Sequence, residues 1–152
     1  GLTPLVLEAG PRIAASMWSW GHVRLFTPWS FLIDPAGQRL LEKTGDWRAP
    51  DGDVVPFAKE VVADYLEPLA RLDAIRPHIR LDHRVTSIAR VGHDRMKDGT
   101  RDDSPFLLVA DTPDGPRRFQ VRAVLDASGL LTARTEDLKR EVESFLSSVA
   151  AA

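Results

Sequence analysis

A carboxylate closes the apolar run Pro4-Leu5-Val6-Leu7-Glu8-Ala9-Gly10. Continuous apolar residues, rather than alternation, predict a short strand over Thr3 to Glu8 buried on both faces, as in a parallel sheet. Gly10-Pro11 turns the chain directly after the acid. In α/β nucleotide-binding proteins an acid at the end of such a strand accepts hydrogen bonds from a ribose. It stands about 20 residues after a glycine-rich loop that cradles the phosphates. The residues before Glu8 contain no such loop, so the acid reads as one half of a cofactor site.

The other chemistry-bearing residues make weaker sets. There is no cysteine, which excludes a disulfide framework and the redox-active pair of a disulfide reductase. His22, His78, His83 and His93 lie at no metal-ligand spacing; the nearest two, His78 and His83, are expected on opposite faces of a strand. Asp94, Asp98, Asp102 and Asp103 occur with Gly99 in a polar loop but lack the alternating order of a calcium loop. No serine occupies a nucleophile elbow. No catalytic residue and no metal site are therefore expected.

The elements that must position Glu8 follow from patterning. Residues 11–36 concentrate aromatics, Trp18, Trp20, Phe26, Trp29 and Phe31, and are broken by Gly21, Thr27-Pro28 and Asp34-Pro35 into short pieces and turns, with His22 to Phe26 extended. Residues 43–55 form a polar loop. Pro56 opens a helix, "PFAKEVVADYLEPLARL", with an apolar stripe of Val61, Val62, Tyr65, Leu66 and Leu69, and Pro68 is expected to kink or end it. Residues 78–91 read as one bent strand or two short ones. Pro105 to Asp111 and Arg117 to Val121 flank Asp114-Gly115, a hairpin signal, so 84–121 is expected to be a three-stranded antiparallel meander. Ala123 to Gly129 reads as another short buried strand. Thr135 to Val149 reads as an amphipathic helix capped by Thr135.

Length and composition fit one globular domain: 152 residues, 43% hydrophobic, 28% charged and a formal net charge of -2. Without a basic excess, nucleic-acid binding is not expected. No apolar run reaches the length of a membrane span, no signal peptide is apparent, and the cytoplasm is the expected compartment.

Taken in order, "PLVLEAG", "SWGHVRLFTPW", "PFAKEVVADYLEPLA", "RVTSIAR", the hairpin and "RAVLDASG" resemble a flavoprotein with two dinucleotide-binding domains. The nearest likeness is to flavin-dependent monooxygenases and related FAD/NAD(P)-dependent oxidoreductases, over residues 1–130. The resemblance implies an α/β, Rossmann-like FAD-binding domain. In it Glu8 binds the adenosine ribose of FAD, Arg12 lies near the adenosine or pyrophosphate, and the backbone at Val85 meets the adenine. Ala127, Ser128 and Gly129 form a small-residue turn passing close to the cofactor. Trp18 and the Phe26–Trp29 region approach the flavin ring. The family's first strand, glycine-rich loop and first helix would precede Gly1, and its NAD(P)H domain would follow Gly129, so the domain is expected to be incomplete and without independent turnover. Residues 131–152 form a separate tail that resembles the C-terminal helix of bacterial chemotaxis receptors.

Lacking the family's central strand, segments 3–8 and 123–128 are expected to close up and pair directly, with the tail helix covering the sheet. The alternatives are self-association through exposed strand edges or that helix, and a sheet left incomplete with a poorly stable chain. Two other functions stay open: a non-catalytic scaffold or interaction module using the C-terminal helix, and an unrelated α/β domain that binds a nucleotide through Glu8.

Overall fold

The computed structural model describes residues 3–91 and 104–128. The tail helix expected over 135–149, Gly129 and the polar loop 92–103 lie outside the described residues. The chain divides into two compact units, Gly1–Ile88 with Leu108–Phe119, and Ala89–Leu107 with Gln120–Ala152.

In the first unit, β1 (Val6–Leu7) pairs in parallel with β2 (Ile79–Arg80), Val6 opposite Ile79 and Leu7 opposite Arg80. The connection between them is helical: α1 (Ala15–Ser19), α2 (Trp29–Leu32), α3 (Pro35–Glu42), α4 (Ala58–Val61), a π-helical turn (Val62–Leu66), α5 (Glu67–Arg71) and a 3-10 turn (Arg76–His78). The 3–8 strand is thus shorter than its apolar run predicts, and it is not buried on both faces, since Val6 is 49% exposed. Its partner is 79–80, not 123–128. The described residues of Ala123–Gly129 are not a strand, and Leu125 is 74% exposed. An apolar run becomes a buried strand only where a neighbouring strand takes up its N–H and C=O groups, and 123–128 has none among the described residues.

The core of this unit is a cluster of Trp29, Leu41, Val61 and Tyr65, backed by Met17, Leu25, Trp47, Leu66 and Leu69. Full burial of each such side chain is worth roughly 1.5–3 kcal/mol. The stripe on the long helical segment faces this core as its spacing predicts, with Val62 fully buried. Segment 21–30 runs alongside 52–59: Leu25 N–H donates to the Pro56 carbonyl at 2.9 Å, Trp29 N–H to Val54 at 3.0 Å and Ser30 N–H to Gly52 at 3.1 Å. The same alignment serves the start of α4. Ala58 and Lys59 donate to the carbonyls of Val23 and Gly21, and Phe57 N–H to the Glu60 carboxylate at 2.7 Å, so the first N–H groups of the helix all find acceptors.

Pro68 does not end the helical segment, which continues to Arg71. A proline withholds its N–H from the carbonyl four residues back, here that of Asp64. The helix widens to a π turn over Val62–Leu66 and resumes at Glu67. Trp47 Nε1 donates to the Asp64 carbonyl at 2.7 Å, replacing the missing bond. The 8-residue helix α3 starts at the Asp34-Pro35 pair read from sequence as a break and runs on through residues 37–42, for which the sequence reading names no element. Asp34 caps it through hydrogen bonds from Ala36 and Gly37, with Pro35 in the first turn, so Asp34-Pro35 is a helix start rather than a break.

The 78–91 stretch resolves into two strands, β2 and β3 (Arg84–Arg90), separated by Asp82 in the left-handed region at φ 54°. β3, β4 (Phe106–Asp111) and β5 (Arg117–Val121) form the expected antiparallel sheet in the order β3-β4-β5. Gly115 turns the hairpin at φ 101°. Leu108 and Ala110, alternate residues of the central strand, are buried. In the second unit Arg90 stacks on Phe106 and donates to the Ser104 carbonyl.

Candidate functional site

Glu8 follows directly on the carboxyl end of β1. Its N–H donates to the Arg80 carbonyl and its carbonyl accepts from His83 N–H, both at 2.9 Å, while Asp82 N–H donates to the Gly10 carbonyl at 2.9 Å. Three backbone bonds therefore fasten Glu8–Gly10 to Arg80–His83. The left-handed turn at Asp82 aims these amides back at β1, and aspartate tolerates that conformation better than most residues. The Glu8 carboxylate folds over its own turn: Oε1 accepts from Gly10 N–H at 2.9 Å, and Oε2 has no partner among the described residues. Glycine is required at position 10, because a Cβ there would stand 2.3 Å from that of Ala15.

The structure brings some of the sequence-predicted site residues together. Val85, half-buried in β3, is two residues beyond His83 and so shares the corner at which Glu8 is fastened. Arg12 is close in sequence but already engaged: its Nη2 donates to Glu67 Oε1 at 2.7 Å, and its guanidinium lies 3.8 Å from the centre of the Trp18 ring. Ala127 and Ser128 are exposed, with Ser128 N–H donating to Asp126 Oδ1 at 2.9 Å. They belong to the second unit, and Gly129 lies outside the described residues. Of the aromatics expected near a flavin, Trp29 is a core residue and Phe26 is 95% exposed.

Sequence reasoning missed the basic cluster around Glu67. Arg12 and Arg71 both bind this carboxylate, at 2.7 and 3.0 Å. The spacing of Glu67 and Arg71, one helical turn, is visible in the sequence; the contact with Arg12 is not, because the two residues meet only once β1 and α5 are in place.

Chemically, the corner offers a free carboxylate oxygen at the carboxyl end of a parallel strand, beside two close backbone turns. That suits a ligand bearing hydroxyls. The described residues supply no array of backbone N–H groups for a diphosphate. No family model matches the chain, and neither a curated protein nor a solved structure matches it.

Proposed function

We propose that this chain carries the adenosine-side wall of an FAD site and is a Rossmann-like oxidoreductase domain of the flavin monooxygenase type. The observation that carries the reading is Glu8 Oε2, without a partner among the described residues, at the carboxyl end of a strand that pairs in parallel with its neighbour through a helical crossover. In open α/β sheets ligands bind beyond the carboxyl ends of the strands.

In this reading the Glu8 carboxylate accepts hydrogen bonds from the adenosine ribose and the backbone at Val85 borders the adenine. Arg12 lends positive charge nearby. FAD, when bound, supplies the redox chemistry, and the protein's part is binding and orientation. The sequence given holds no Gly-x-Gly-x-x-Gly loop, so turnover by these residues alone is not proposed. The cytoplasm is the proposed compartment; among the described residues no helix is long and apolar enough to cross a membrane.

The test is calorimetric titration with ADP-ribose and FAD. ADP-ribose is expected to bind, and Glu8→Ala to weaken it about tenfold or more, the usual worth of a hydrogen bond to a charged group. Absence of binding, or equal binding by the variant, removes the reading. A second reading, a non-catalytic interaction module, is favoured by the exposure of Phe26 (95%) and Phe31 (80%). It predicts self-association in sedimentation that a Phe26→Ser/Phe31→Ser variant abolishes.

A further inference from the structure

We infer that the hollow between α5 and β2 is a second binding site, one that takes a small organic anion: an apolar body carrying one phosphate or carboxylate. The inference goes beyond the adenosine reading and does not rest on it. The hollow has a volume of about 300 Å³, at the small end of the range for ligand pockets.

Its floor is apolar. Ile79 in β2 and Leu81 in the bend that follows it line it with Ile13 and Ala70. The small side chain of Ala70, three residues after Glu67 in α5, leaves room that a larger residue would occupy. Such a floor favours a ligand that brings apolar surface out of water.

Its rim is cationic. Arg12, Arg71 and Arg76 all line the hollow, and Glu67 is the only acid that does. Glu67 is shared by Arg12 and Arg71, and its side chain is 19% exposed, whereas those of Arg71 and Arg76 are each 74% exposed. The one acidic partner of Arg76 among the described residues, Asp73, is 3.9 Å away on a fully exposed side chain, a pair that contributes little. Three guanidinium groups and one carboxylate therefore line the hollow, and the side chains of Arg71 and Arg76 stay largely exposed. Guanidinium forks match the oxygens of phosphate and carboxylate alike. Charge and floor together select an amphiphilic anion over a cation, a neutral hydrocarbon or a bare inorganic ion.

The experiment is calorimetric titration of the full chain with 1-naphthyl phosphate, 1-naphthoate, neutral 1-naphthol and inorganic phosphate. Saturable binding of the phosphate ester, the carboxylate or both is expected, with the tighter of the two identifying the anionic group. Naphthol and inorganic phosphate are expected to bind at least tenfold more weakly. The Arg71→Ala/Arg76→Ala variant, which alters two exposed side chains and should fold normally, is expected to lose at least tenfold in affinity. Glu67→Gln, checked for folding by circular dichroism, is expected to gain about threefold, because it removes the competing anion. A structural role for the cluster alone would not produce that gain. Equal binding of naphthol, undiminished affinity in the double arginine variant, or no gain in a folded Glu67→Gln protein would each overturn the inference. ADP-ribose binding should be unaltered in the double arginine variant, so failure here is told apart from failure of the adenosine reading.

Discussion

Glu8 Oε1 is committed to the Gly10 amide while Oε2 is not, and this division within one carboxylate carries the functional reading. The acid was legible in the sequence because it ends an apolar run; its bond to Gly10 has the short range that turn residues commonly use. Asp64 allows a separate test at the same scale. Its carboxyl is raised above the ordinary value of 3.8, first by partial burial and second by the neighbouring charge of Glu60. The folded chain therefore holds this proton to higher pH than the unfolded chain does, and stability falls as pH rises from the unfolded value through the folded one. Asp64→Asn is expected to raise the urea midpoint at neutral pH and to leave it unchanged well below 3.8. Equal midpoints at neutral pH would show that Asp64 is not under this strain.

The elements divide by the range of the interactions that make them. The meander over 84–121 was legible because Asp114-Gly115 sets the hairpin locally, and the helix after Pro56 because its stripe repeats within a few residues. The response to Pro68 was not legible. The donor that relieves the orphaned Asp64 carbonyl is Trp47, 17 residues earlier, and only the folded core places it there. A double-mutant cycle tests this account. Trp47→Phe is expected to cost about 1 kcal/mol in urea unfolding beyond its lost packing. In a Pro68→Ala background, where the restored amide can serve Asp64, that excess should shrink. An unchanged cost would mean that the indole bond and the proline are uncoupled. The 123–128 segment failed for the complementary reason. Its composition suits a buried strand, but burial requires a neighbour, and Leu125 stands 74% exposed instead.

For the whole molecule, the parallel β1–β2 pair is the smallest part of an α/β sheet that can present an acid at its carboxyl edge. The expected direct pairing of 3–8 with 123–128 does not form. β1 takes β2 on one side, and strand geometry directs the Leu7 N–H and C=O away from β2, since those of Glu8 both point toward it. The sequence anticipated an α/β class and an unsatisfied strand, but not which strand would be the partner, because Ile79, opposite Val6, lies 73 residues down the chain in a stretch that reads as strand without specifying its neighbour. The measurement that bears most directly on the central claim is amide chemical-shift mapping during an ADP-ribose titration. The account predicts that Gly10, His83 and Val85 move together and saturate together, and that Glu8→Ala abolishes the response. Saturable shifts confined to other residues, or none at all, would contradict it.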